Sequence, residues 1–321
     1  MRTKVLIESE LDQAVSLLKE GKVVAFPTET VYGLGAVLSN QEAVQKIFSL
    51  KKRPQDNPLI VHIADVEDVY HIAKEIPKEF FFLAEKFFPG PLTIILPKSN
   101  FVSDLVSAGS DTVAFRMPNH PMALELIRKV EEPLVAPSAN LSGKPSGTRV
   151  SHIMHDFSGS LDAVLDGGEC SIGIESTVLN LCHPKEPIIL RPGAVGHKEL
   201  EDVLGCKVRL YDAKVCDEKN LILSPGLKYR HYAPKTSLFL FDKFQELEAY
   251  LIKNRTKKLL LLVDDLRDIK IDQMIFSEHN LYDVLRQTDH QDYDEILVFC
   301  SPNLQKKVAL MNRLLKAAGV L

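Results

Sequence analysis

VVAFPTETVYGLGA, residues 23–36, runs from three apolar residues into two threonines flanking a glutamate, then a tyrosine and two glycines. The apolar entry reads as a buried strand over 22–26. Hydroxyls, one carboxylate and glycine backbone follow, and that chemistry reads as a loop lined with polar groups and close-approach positions. It is not a phosphate-binding P-loop, because GxxxxGK[ST] occurs nowhere in the chain. A tight turn with capping threonines is the competing reading.

Outward from this stretch, apolar runs alternate with helical patterns. Strands are expected at 59–63, 92–96, 112–115, 134–136, 163–166, 177–181 and 188–190. Helices are expected at 41–50, with Ser39 or Asn40 as cap, and at 77–88, ended by Pro89-Gly90. This mixture predicts an α/β domain around a large twisted sheet. Between 205 and 236 the pattern dissolves, and a connection of that length is often functional. A smaller α/β pattern then resumes, with strands at 237–241, 259–263 and 296–300 and helices at 244–253 and 304–318. It is Rossmann-like in class but carries no GxGxxG, so nothing supports dinucleotide binding there.

The 321 residues suffice for two domains, and 45% hydrophobic with 26% charged residues is globular composition. The formal net charge of −4 excludes a chain that coats nucleic acid by bulk charge. Five cysteines without a CxxC pair argue against a disulfide framework or zinc ribbon, and fit a reducing cytoplasm. The first residues become charged almost at once, unlike a signal peptide, and no apolar run approaches the length of a membrane span.

Six further stretches carry chemistry. KKRPQDNPLIVHI, 51–63, supplies Lys51 and Arg53 beside two stiffening prolines, with His62 inside an apolar run. Cations at a helix C-terminus and a core histidine are the competing readings. DTVAFRMPNHP, 111–121, puts Arg116 at a strand end, suited to a carboxylate or to a surface salt bridge. APSANLSGKPSGT, 136–148, concentrates Ser138, Asn140, Ser142, Ser146 and Thr148 after a buried strand, donor-rich chemistry for oxyanions or a ribose. GIESTVLNL, 173–181, and ILRPGAV, 189–195, contribute Ser176, Thr177 and Arg191. SPGLKYRHYAPKT, 224–236, interleaves Lys228, Arg230 and His231 with tyrosines, which suits a nucleotide or RNA strand as well as a plain surface loop.

Taken in order, these motifs with FPGPLTIIL resemble the YrdC-like domain of the L-threonylcarbamoyladenylate synthases. The tail from SPGLKYRHYAPKT onward resembles the two-domain branch of that family. The resemblance implies a YrdC-like catalytic domain over 1–204, a linker or lid loop over 205–236, and a small α/β domain over 237–321. It implies that L-threonine, bicarbonate and ATP give threonylcarbamoyl-AMP and pyrophosphate, with Mg²⁺ brought by ATP and no prosthetic group. The product then serves modification of the adenosine at position 37 of tRNA, through a downstream transferase complex. The family signature falls on Lys51, Arg53, Ser138 and Asn140, as catalytic residues. Threonine contacts fall on Thr30, His62, Arg116, Ala136 and Ser176, with Gly33 and Gly35 letting backbone approach the ligand. ATP contacts fall on Arg53, Asn57, Thr112, Ser138, Ser146, Arg191 and Tyr232, the last on a loop expected to close over the cavity. No metal-ligating residue is expected. A module that grips RNA without chemistry is the rival, supported by the basic clusters and opposed by the net charge. A carbamoyl-adenylate enzyme of metal-cluster maturation is a second, lacking its extra zinc-finger and acyl-phosphatase-like segments.

Overall fold

The computed structural model describes residues 2–211 and 231–320. They fall into two compact units, the first from residues 2–142 and 147–211, the second from 143–146 and 231–320.

The first unit is built on one mixed sheet. Its strands are β1 (Lys4–Leu6), β2 (Val24–Phe26), β3 (Gly33–Val37), β4 (Ile60–His62), β5 (Leu92–Pro97), β6 (Thr112–Arg116), β7 (Leu134–Val135), β8 (Ala163–Leu165), β9 (Thr177–Asn180), β10 (Ile188–Arg191) and β11 (Arg209–Leu210). Their order is β1-β8-β2-β3-β7-β4-β6-β5-β9-β10-β11. Eight helices surround it: α1 (Leu11–Lys19), α2 (Gln41–Lys51), α3 (Val69–Ile72), α4 (Lys78–Phe87), α5 (Asp104–Ser107), α6 (Pro121–Val130), α7 (Val150–Phe157) and α8 (His197–Leu204).

Strand alternation sorts the residues onto two faces. Val61, Phe115, Ile94, Val135 and Leu179 join the main core, covered by residues of α2, α4, α5, α7 and α8. On the opposite face, α1 and α6 cover one end, where Phe26, Leu134 and Ala136 are buried against them. Farther along the same face lies a small apolar floor of Ile60, Ile95, Ala114, Val178 and Leu190. His62 and Arg116 share that face, two residues beyond Ile60 and Ala114, and stand in register across β4 and β6.

Most expected elements form within a residue or two of their predicted ends. The cap of α2 is Asn40, whose side chain accepts from Ala43 N at 3.0 Å. The stretch 26–36 needs a correction, because its second half is strand rather than loop. Gly33–Val37 pairs antiparallel with β2, placing Gly33 opposite Phe26 and Gly35 opposite Val24. A Cβ on Gly35 would lie 2.7 Å from Phe26 Cε1, and one on Gly33 3.0 Å from Phe26 Cζ. The glycines therefore make room for an aromatic ring lying across the neighbouring strand. The ring in turn meets His62 edge-on, with centroids 5.8 Å apart.

The second unit holds a four-stranded parallel sheet, β12 (Ser237–Phe241), β13 (Leu259–Val263), β14 (Asp272–Ile275) and β15 (Glu295–Phe299), in the order β12-β15-β13-β14. The central strands LLLLV and EILVF are buried throughout, as parallel strands covered on both faces must be. Helices α9 (Phe244–Lys253), α10 (Leu281–Thr288), α11 (Pro302–Gln305) and α12 (Val308–Ala318) accompany them. The expected helix over 304–318 is thus two helices. Ser301 caps the first, its Oγ accepting from Leu304 N at 3.1 Å, and α12 begins afresh at Val308. Tyr232 is buried in this unit at φ +64°, its ring stacked on Tyr282 at 5.3 Å with the Arg313 guanidinium 5.5 Å away. Residues 143–146 belong here through Arg286, which donates to Pro145 O at 2.7 and 3.1 Å. Lys228, Arg230 and most of the expected lid lie outside the described residues.

Overpacking a filled core position costs about 1–3 kcal/mol. Gly35→Ala is therefore expected to lower the first unit's unfolding midpoint in urea. In a double-mutant cycle, Phe26→Leu should cost less in the Gly35→Ala background than in the wild type. Additive effects would show that Phe26 does not occupy the space over Gly35.

Candidate active site

The turn between β2 and β3 is held by its own hydroxyls. Thr28 Oγ1 donates to Val31 O at 2.6 Å and lies 2.9 Å from Thr30 Oγ1. Tyr32, fully buried, fixes the neighbouring loop: its hydroxyl donates to Gly168 O at 2.8 Å and accepts from Gly167 N at 3.2 Å. From this turn Thr30 reaches Arg116, whose Nη1 donates to Thr30 Oγ1 at 2.8 Å. The second guanidinium nitrogen, Nη2, meets Glu29 Oε2 at 2.7 Å, and both side chains of this ion pair are about 5% exposed (4% and 6%). Such a pair, 87 residues apart in sequence, stitches the turn to the middle of the sheet.

His62 stands beside Arg116 in the strand register. Burial, reinforced by the Arg116 charge, drives its imidazole down to about 3, so the ring is neutral at physiological pH. Its Nδ1 lies 3.2 Å from Ile60 O. A carbonyl only accepts, so Nδ1 carries the proton and Nε2 is an acceptor. Cys170, near Glu29 and Arg116 in charge, is a buried thiol pushed up to about 12 and does not ionise.

The second group gathers around Lys51, at the C-terminus of α2 and only 1% exposed. Its Nζ donates to Ser138 O and Asn140 O, each at 2.5 Å. Ser138 Oγ donates to Asn140 Oδ1 at 2.6 Å, and Asn140 Nδ2 to Leu141 O at 2.8 Å. The buried ammonium thus bends the 138–140 backbone around itself. Arg53 acts likewise on its own loop, donating to Asn57 O at 3.1 Å and Pro58 O at 2.9 Å. Asn57 is buried, and its Oδ1 has no partner among the described residues.

A third group joins β5, β9 and β10. Arg191 donates to Ser176 O and Ser176 Oγ, both at 3.1 Å, and Ser176 Oγ lies 2.7 Å from Thr93 Oγ1. Thr112 begins β6 and pairs its hydroxyl with Ser110 at 2.8 Å. Ala136 N donates to Ile60 O at 2.9 Å, which sets its backbone beside the floor under His62.

The sheet thus joins half of the expected residues into three hydrogen-bonded groups: Thr30 with Arg116, Lys51 with Ser138 and Asn140, and Ser176 with Arg191. Arg53 with Asn57 forms a loop of its own, and Ser146 and Tyr232 belong to the second unit. Sequence reasoning passed over Glu29, Thr93 and Phe26 as partners. A lone glutamate between two threonines was the available signal for the first.

Two families match the chain: Sua5/YciO/YrdC, described as Telomere recombination, over residues 16–193, and the Threonylcarbamoyl-AMP synthase C-terminal domain over 195–319. Threonylcarbamoyl-AMP synthase of Pyrococcus abyssi is 43% identical, covering 95% of this chain and 93% of its own. That of Bacillus subtilis is 42% identical, covering 97% and 94%. The crystal structure of Pyrococcus abyssi Sua5 complexed with L-threonine superposes with a TM-score of 0.90 at 40% identity, covering 99% of this chain and 98% of that one.

The lowered His62 pKa has a consequence for stability. The unfolded chain takes up a proton on His62 near the ordinary value of 6.5, whereas the folded protein resists until about 3. The contribution is present above 6.5 and is lost as pH falls from there towards 3, at no more than about 1.4 kcal/mol per pH unit. Urea titrations between pH 7 and pH 4 should show a shallower decline for His62→Gln than for the wild type. Parallel declines would mean that His62 titrates normally in the folded state.

Proposed function

Because the chain belongs to the threonylcarbamoyl-AMP synthase family, we propose that it condenses L-threonine, bicarbonate and ATP into threonylcarbamoyl-AMP and pyrophosphate. The observation that carries this reading is the similarity to synthases along nearly the full length of both units. The RNA-gripping alternative loses part of its support, since Lys51 is buried, Arg53 is half-buried, and both donate to backbone carbonyls.

The substrate carboxylate meets Arg116, a planar donor suited to two-oxygen contact. The substrate hydroxyl donates to His62 Nε2, with Thr30 and Ser176 as further polar contacts and the Ala136 backbone as a wall. The amine attacks bicarbonate, forming the N–C bond, and water leaves. A carbamate oxygen then attacks the α-phosphorus of ATP and pyrophosphate departs. Holding reactants in attack geometry is worth about 7–11 kcal/mol of barrier. Charge developing at phosphorus is met by Arg53 and Arg191, with Asn57 and Thr112 as nucleotide contacts. Lys51 contributes its charge and holds Ser138 and Asn140 in place through their carbonyls.

Among the described residues no group of three His, Cys, Asp or Glu side chains is placed to hold a metal ion. In this reading Mg²⁺ enters with the phosphates of ATP. The product, a mixed anhydride, is consumed by an acyl transfer to the adenosine at position 37 of tRNA. A separate transferase performs that step in the cytoplasm, with at most weak RNA contact here.

Pyrophosphate release from ATP and bicarbonate should depend on L-threonine, with L-serine a poor substitute. Lys51→Ala and Arg53→Ala should each reduce it about 10²–10³-fold, the usual effect of losing one transition-state donor. Near-normal turnover in both variants would falsify the roles given to these cations.

A further inference from the structure

Glu29 has two carboxylate oxygens in different circumstances. Oε2 receives Arg116 Nη2 at 2.7 Å, whereas Oε1 is buried with no hydrogen-bond partner among the described residues. Arg116 shows the complementary condition: Nη1 and Nη2 are engaged, and Nε is a buried donor without a partner. Buried polar atoms are nearly always satisfied, and burying an ion pair is costly unless its remaining lone pairs and protons find partners. One open acceptor and one open donor thus sit on the two halves of a single buried pair. A ligand that completes both must present a donor and an acceptor close together. An α-amino acid zwitterion does so, with ammonium and carboxylate on one carbon.

Resting on the synthase reading above, we propose that Glu29 is a catalytic residue of the first half-reaction: its Oε1 receives the substrate α-ammonium and takes its proton. The ammonium is a poor nucleophile until it loses a proton, because its nitrogen has no lone pair. Transfer of one proton to Glu29 gives the neutral amine and a protonated carboxyl group. The amine lone pair forms the N–C bond with bicarbonate. The bicarbonate C–OH bond breaks, and the hydroxide leaves as water with a second N–H proton. Carbamate remains, and Glu29 returns its proton to solvent. Arg116, held by Oε2, keeps the substrate carboxylate while Oε1 addresses the amine, so the motif's lone glutamate and the strand's arginine act as one clamp.

The charged and titratable groups around Glu29 leave a clear pH window. Arg116 stays charged. Burial lowers the nearby His120 below its ordinary value and raises Cys170 to about 12, so neither ionises between pH 7 and 9. His62, driven to about 3, is neutral throughout.

The test combines kinetics and calorimetry on the full chain. Glu29→Gln keeps the shape and the bond to Arg116 but accepts no proton. It should reduce threonine-dependent pyrophosphate release about 10²-fold or more at pH 7. Its rate should then rise roughly tenfold per pH unit towards 9, following the free amine in solution, while the wild type changes little. A structural role predicts a loss independent of pH. In the wild type itself, L-threonine should bind at least about 30-fold more tightly than its amine-free analogue, 3-hydroxybutanoate, because a buried carboxylate is left unpaired by the latter. Turnover of Glu29→Gln within threefold of wild type, a flat pH profile for it, or equal binding of the analogue would each overturn the role of Glu29 alone. A wild type without threonine-dependent release would overturn the synthase reading and this inference with it. Should Glu29→Gln fail to fold, the analogue comparison decides the matter.

Discussion

The buried pair of Arg116 and Glu29 is the interaction on which the rest of the first unit's site depends. Two opposite charges at the sheet face are expensive to remove from water, and their attraction compensates only when geometry and hydrogen bonding are good. That requirement dictates the surroundings. Thr30 must lie where it accepts from Arg116, which fixes the turn after β2, and Thr28 braces the turn from within. His62, its neighbour in register, is kept neutral first by burial and then by the Arg116 charge beside it.

The other cations follow a related logic. Lys51 and Arg53 look in sequence like freely presented charges at a helix end, yet both donate to main-chain carbonyls. Each cation therefore shapes a loop as well as a field. Lys51 curls the 138–140 segment, so the Ser138 and Asn140 side chains bond to one another and to Leu141 O. Arg53 ties down 57–58, between the end of α2 and the start of β4. A preorganised site needs such fixed dipoles, because dipoles that reorient during the reaction give back part of their stabilisation.

Apolar periodicity found most strands and the helices α2, α4 and α9, since burial on one or two faces leaves its period in the residues, but it passed over α1 and α6. It missed Gly33–Val37, where two glycines imitate a loop. Their reason lies on another strand, in the ring of Phe26, and no local pattern reports it. It also joined α11 and α12, because apolar spacing continues across the break at 306–307. Glu29 was visible as a lone carboxylate among hydroxyls, but its partner lies 87 residues away. An ion pair across that separation has no signature in either neighbourhood.

By itself the amino-acid sequence determined the class of fold, the positions of most elements and the set of polar motifs, because these depend on local burial, capping and turn chemistry. Its ordered motifs also identified the family. Only the tertiary structure decided which motifs meet. It put Thr30 on Arg116, Lys51 under the 138–140 loop and Arg191 on Ser176. It also left one oxygen of Glu29 open among the described residues. Those are matters of strand order and register, set by how eleven short strands pack together, and the energy that selects them is shared across the whole sheet.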